Sequence, residues 1–210
     1  MNRGFATETP IQLLRVGLSS FGKYLGPRKR ALQITRHVDR ELLGRGDEIK
    51  GVVLDFEGVQ LMGLAFFEEL LARMLAFVRR PEPDAMFLAV TGANEEIREL
   101  VELALERQKA LALSASSVRE LQRGRIELLG GPDYLHSLFD SIRRDPDEAT
   151  TAGLKDAFGA SRTNTANRLA MLREFGVVRS EPVAGHGQPL THKPALTKDG
   201  SVSLITVRSG

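Results

Sequence analysis

The 210-residue chain contains no cysteine. That removes disulfides, thiolate metal ligands and cysteine nucleophiles together, and such usage fits a cytoplasmic protein. Long apolar runs are missing as well. The longest fall far short of the ~20 residues that a membrane-spanning helix needs, so no membrane partner is expected. Residues Met1 to Glu8 show no apolar segment followed by a cleavage site, and no secretion leader is expected from them. What is present is ordinary for a folded chain: 42% of the residues are apolar, which argues against disorder.

The net charge of +2 is unevenly spread. Residues 151–210 carry 8 Lys and Arg against 4 Asp and Glu, a balance of +4; the first 150 carry 21 against 23, a balance of −2. A basic tail on a near-neutral body suits a polyanionic partner for the tail.

Two patterns divide the chain. Residues 1–130 alternate strand and helix signals. Gly51 to Phe56 and Met86 to Val90 are short apolar runs of the kind found in buried parallel strands. Ile11 to Val16, Ala110 to Leu113 and Ile126 to Leu129 read as further strands. Between them, Ala31, Ile34, Val38 and Leu42 recur at helical spacing after Pro27. So do Phe67, Leu70, Leu71, Met74, Phe77 and Val78, and, after a capping Asn94, Ile97, Leu100, Val101, Ala104 and Leu105. The expected fold class is an α/β layer structure around a small, mostly parallel sheet. From residue 131 onward, past Gly130-Gly131-Pro132, helices follow one another closely, and the domain boundary is expected between Gly130 and Pro146.

"GLSSFGKY", Gly17 to Tyr24, nearly matches the phosphate-binding signature G-x-x-x-x-G-K-[ST]. Tyr24 stands where a Ser or Thr must hold Mg²⁺, and Pro27 disfavours helix for Leu25 and Gly26, where the anion-receiving helix should start. The stretch reads as a turn between a strand and a helix. Arg28, Lys29 and Arg30 read as an exposed basic turn. Glu68 and Glu69 point about 100° apart on a helix and do not converge as an acid/base pair. With no Ser/His/Asp set, metal cluster or intact nucleotide loop, no enzymatic activity and no cofactor are expected.

The segment "VVLDFEGVQLMGLAFFEELL", Val52 to Leu71, has a strand ending in Asp55, a turn through Gly58 and Val59, and an apolar helix beginning near Gly63. It resembles STAS-like domains, relatives of the anti-sigma factor antagonists, and the likeness covers roughly Ile11 to Gly130. The resemblance implies a binding module that docks a kinase-like ATPase at the start of this helix, with Gly63, Leu64 and Glu68 as partner-binding residues. In that family a Ser or Thr at this point is phosphorylated to break the contact. Gly63-Leu64-Ala65 offers no hydroxyl, so that switch is chemically absent.

"SRTNTANRLAMLREFGVVRSE", Ser161 to Glu181, is the most informative stretch. Thr165, Leu169 and Leu172 lie within about 40° of one line on a helical wheel and mark the inward face. Thr163, Asn167 and Ala170 lie opposite, with Asn164 and Met171 to the side. Thr and Asn are weak helix formers, and a cluster of them on a surface face suits hydrogen bonding to base edges. Arg162 and Arg168 flank the face as phosphate ligands. Thr151 to Phe158, a turn at Gly159-Ala160 and this helix make a helix-turn-helix; Val177 to Ser180 and Val202 to Val207 follow as strands of a wing. Residues 132–210 resemble winged helix-turn-helix regulators. That resemblance implies double-stranded DNA as partner, with Ser161, Arg162, Thr163, Asn164, Asn167 and Arg168 on the reading helix and His186 and Lys193, along with His192, in the wing. His186 and His192 lack neighbouring carboxylates, so no metal site is expected there; His136 reads as structural. The combined expectation is a cytoplasmic, homodimeric DNA-binding regulator built from a STAS-like domain (1–130) and a winged helix-turn-helix domain (131–210). The alternative is a non-enzymatic adaptor that binds a kinase-like ATPase.

Overall fold

The structure is a computed structural model that describes residues 10–45, 48–79, 86–182, 190–197 and 201–207. In chain order the first part comprises β1 (Ile11–Gly17), a 3-10 turn (Leu18–Phe21), β2 (Tyr24–Leu25), α1 (Arg28–Arg45), β3 (Ile49–Asp55), β4 (Leu61–Met62), α2 (Leu64–Val78), β5 (Phe87–Thr91), α3 (Glu95–Arg107), β6 (Ala112–Ala115), α4 (Val118–Gln122) and β7 (Glu127–Leu129). The second part comprises α5 (Asp133–Arg144), α6 (Thr151–Phe158), α7 (Arg162–Glu174), β8 (Val178–Pro182), β9 (Leu190–Pro194) and β10 (Val202–Val207).

The chain is an α/β fold around one six-stranded sheet, ordered β10-β1-β3-β5-β6-β7. The first five strands of that order run parallel, and β7 pairs antiparallel to β6 at the edge. Each of the crossovers β1-α1-β3, β3-α2-β5 and β5-α3-β6 moves one strand in the same direction. The right-handed rule therefore sets α1, α2 and α3 side by side on one face; α1 packs on α2 and α2 on α3. The strands are apolar at nearly every position because both faces are covered: Val52, Val53, Leu54, Phe87, Leu88 and Ala89 are inaccessible to solvent. Gly51 has a packing reason, since a Cβ there would collide with the Phe87 ring on the neighbouring strand. Among the described residues no helix is long and apolar enough to cross a membrane.

The near-phosphate-loop stretch is the end of β1, the 3-10 turn and β2, with α1 starting directly after Pro27. One strand differs from expectation. Val202–Val207 does not pair within a wing; it pairs parallel with β1, from Ile11↔Val202 to Val16↔Val207, as the edge of the main sheet. The small ribbon is instead β8 with β9, antiparallel. The alternating pattern of β10 marks an extended strand but does not say which edge receives it, and the open side of β1 offered a parallel partner. The last strand thus lies in the first sheet, and the helical unit is held at both ends by it.

The carboxyl ends of β1, β3 and β5 are tied by one buried carboxylate. Asp55 is 2% exposed, and its Oδ2 accepts from Arg15 Nε at 2.9 Å and from Arg15 Nη2. Its Oδ1 accepts from the Thr91 hydroxyl at 3.1 Å and the Glu57 amide at 3.2 Å. Removing the carboxylate leaves a partly buried guanidinium and a buried hydroxyl without partners. Asp55→Ala should therefore lower stability by about 2–4 kcal/mol. The check is the urea midpoint at unchanged m; a loss below about 1 kcal/mol would show that this ion pair does not constrain the sheet.

Candidate nucleic-acid interface

The second part is built around α7. Thr150 caps α6 by accepting from Gly153 N at 3.1 Å, and Ser161 caps α7 by accepting from Asn164 N at 3.2 Å. Between them Gly159 adopts φ +58°, a left-handed turn that glycine enters without strain. Thr165, Leu169 and Leu172 are buried, as their spacing predicts, and the Thr165 hydroxyl donates back to the Ser161 carbonyl at 3.2 Å. Ser161, Arg162, Thr163, Asn164, Ala166, Asn167 and Ala170 are exposed. The first turn of α7 contains no acidic residue. Arg162 has no ion-pair or hydrogen-bond partner among the described residues.

Ser161, Arg162, Thr163, Asn164 and Asn167 are all exposed in the first two turns of α7, with Thr163 and Asn167 opposite the buried Thr165 and Arg162 and Asn164 on either flank. Arg168 behaves differently. Its guanidinium stacks 4.5 Å over the ring of Tyr134 on α5, and the side chain is half-buried. That partner lies far away in sequence, so local spacing could not reveal it. Lys193 sits on β9 and pairs with Glu181 across the ribbon at 3.0 Å. His186 lies outside the described residues.

His192, expected in an open wing, is instead 2% exposed. Arg173 Nη1 donates to Ser180 Oγ at 3.3 Å, so the Ser180 hydroxyl is free to donate to His192 Nδ1 at 3.1 Å. His192 Nε2–H then faces Thr151 Oγ1 at 3.2 Å. One neutral imidazole therefore links α6, α7, β8 and β9. Burial and, second, the nearby Arg173 cation lower its pKa to about 4. Sequence reasoning missed this hub because Leu190 to Pro194 is a short strand flanked by turn-forming residues. Beside it, burial also lowers the pKa of Arg179, whose Nη2 is buried without a hydrogen-bond partner. His136 Nε2 lies 2.9 Å from the Gly130 carbonyl.

At the other candidate site, Gly63 is the extended N-cap of α2, and its amide donates to the Leu25 carbonyl at 2.7 Å. Leu64 is half-buried against the core, and Glu68 is paired with Arg107 at 2.7 Å. Their neighbours are more open: Tyr24 and Leu61 face each other across the β2–β4 pair and are 65% and 54% exposed.

The two parts of the chain meet beneath β5. Arg79, just after α2, stacks 4.6 Å over Phe175 and approaches Glu174 at 3.8 Å. Gly176, at φ +62°, lies so close to the Met86 backbone that any Cβ would overlap the carbonyl. A cleft of about 1140 Å³ opens between α3, β7 and α5, with Met171 of α7 on its wall.

No protein-family model and no curated protein matches this chain.

The His192 hub makes a pH prediction. Its folded pKa, about 4, lies below the ordinary value of 6.5. The unfolded chain binds the proton first, so the contribution of neutral His192 to stability is complete above about pH 6.5 and is lost as pH falls toward 4. Urea unfolding at pH 7.5 and pH 5 should show this loss, and His192→Gln should reduce it. Equal pH dependence in the two proteins would contradict the assignment.

Proposed function

We propose that this chain is a sequence-specific DNA-binding protein, a transcriptional regulator whose reading element is the amino-terminal half of α7. One observation carries the reading. Arg162, Thr163, Asn164 and Asn167 stand exposed together, without an acidic neighbour in the first helical turn and without intramolecular engagement of Arg162, while Thr165, Leu169 and Leu172 anchor the opposite side. Asn offers paired hydrogen bonds to adenine, Thr a hydroxyl and a methyl for a base edge, and Arg162 a phosphate ligand. The positive end of the helix dipole adds to the attraction. The order helix, glycine turn, helix and two-stranded ribbon supports a winged helix-turn-helix. The strand–Asp55–turn–helix unit on a parallel sheet supports a STAS-like body for partner, dimer or ligand contact.

A second reading, an adaptor that docks an ATPase-like protein, is favoured by the exposed Tyr24–Leu61 pair beside Gly63. The two separate in a mobility-shift titration against random duplex at several salt concentrations. About five phosphate contacts give a log–log slope near −4 to −5. Arg162→Ala should make that slope shallower by about 1, and Asn167→Ala should cost about 1–3 kcal/mol on a selected site. Binding that ignores both salt and Arg162 would leave the adaptor reading standing.

A further inference from the structure

The three helices on one face of the sheet carry three different outer surfaces. On α1, Lys29, Gln33, Arg36, Arg40 and Leu43 are all exposed and fall within about 40° of one line at 100° per residue. Lys29, Arg36 and Arg40 have no hydrogen-bond or ion-pair partner among the described residues. On α3 the outward line holds Glu95, Glu99, Leu103 and Glu106, exposed, with the three carboxylates likewise without partners. Between them, the outward line of α2 is Ala65, Ala72 and Ala76, also exposed. Beside these lines, three pairs are engaged within the chain: Arg73 with Glu69, Arg107 with Glu68, and Arg98 with Glu102. The layer therefore presents a basic stripe, a low strip of alanines and an acidic stripe.

We propose that this layer is an interface with a second copy of the same chain. A two-fold axis along α2, in the plane of contact, places α1 of each copy over α3 of the other and keeps the helices parallel. The spacings then coincide. Arg40 follows Lys29 by eleven residues, and Glu106 follows Glu95 by the same eleven. Lys29 then meets Glu95 and Arg40 meets Glu106, with Gln33 opposite Glu99 and Arg36 opposite the Arg98–Glu102 pair. Each pairing occurs twice by symmetry. The alanine strip lets the two α2 helices approach closely at the centre. Leu43, 89% exposed, ends the basic stripe and on this register falls opposite residue 109, just past the end of α3. The other in-plane axis would set like charges against each other, so the pattern also selects the arrangement. At ~10 Å per helix and ~16 Å of stripe, the contact buries on the order of 1,000 Å² in total, the lower limit for a specific interface.

This inference names the dimer contact of the proposed regulator but is tested without DNA, so it can fail independently of that reading. Sedimentation velocity at low salt should show a dimer for the full chain. Lys29→Glu with Arg40→Glu, and separately Glu95→Lys with Glu106→Arg, should each weaken it by about tenfold or more, with circular dichroism confirming the fold. Combining all four substitutions in one chain should restore it, and mixing the two double variants should give a heterodimer. A monomer at roughly 100 µM in low salt, or double variants that associate like the unaltered chain, would overturn the proposal.

Discussion

The parallel pairing of β10 with β1 sets the architecture. It makes the helical part an excursion between two strands of one sheet, leaving through β7 and returning through β10. A unit tethered at one end swings on its linker; one tethered at both ends, with Gly176 against the start of β5 and Arg79 stacked on Phe175, has its orientation fixed by the sheet. Any function assigned to the outer face of α7 inherits that constraint. The body below it is part of how α7 is aimed.

Two buried polar centres, one in each part, tie together the elements of that part. Asp55 joins three strand ends through one carboxylate whose oxygens are both engaged. His192 joins two helices and two strands through one imidazole. Their chemistry differs in consequence. The carboxylate is paired with a cation, whereas burial and, second, the nearby Arg173 cation keep the imidazole neutral. Apolar packing supplies most of the free energy, but such centres specify which elements meet, since a half-satisfied buried network is worse than none.

Much of this was legible from residues alone. The strands at Ile11, Gly51 and Met86, the helices between them, and the cap Asn94 follow from periodicity and from a side chain that can accept from an orphan amide. The inward line of Thr165, Leu169 and Leu172 was equally plain. What sequence could not supply was partnership at a distance. An alternating strand has the same pattern in a wing or at a sheet edge, so β10 was placed wrongly. Arg168 looks like a free phosphate ligand until Tyr134 arrives beneath it, and His192 looks like loop until α6 and β8 close over it.

Charge shows the same limit from another side. A whole-chain balance of +2 and a body near neutrality suggest an unremarkable surface. Helical geometry sorts those charges onto separate lines, basic on α1 and acidic on α3, with alanine between. Opposite charges mixed along one helix neutralise each other locally through i,i+4 pairs, as Glu69 and Arg73 do. Charges segregated by helix have no such local partner and remain as a field whose complement must come from elsewhere. A surface that carries both signs at matching intervals contains its own complement, so the partner that answers it with least new information is another copy of the same chain.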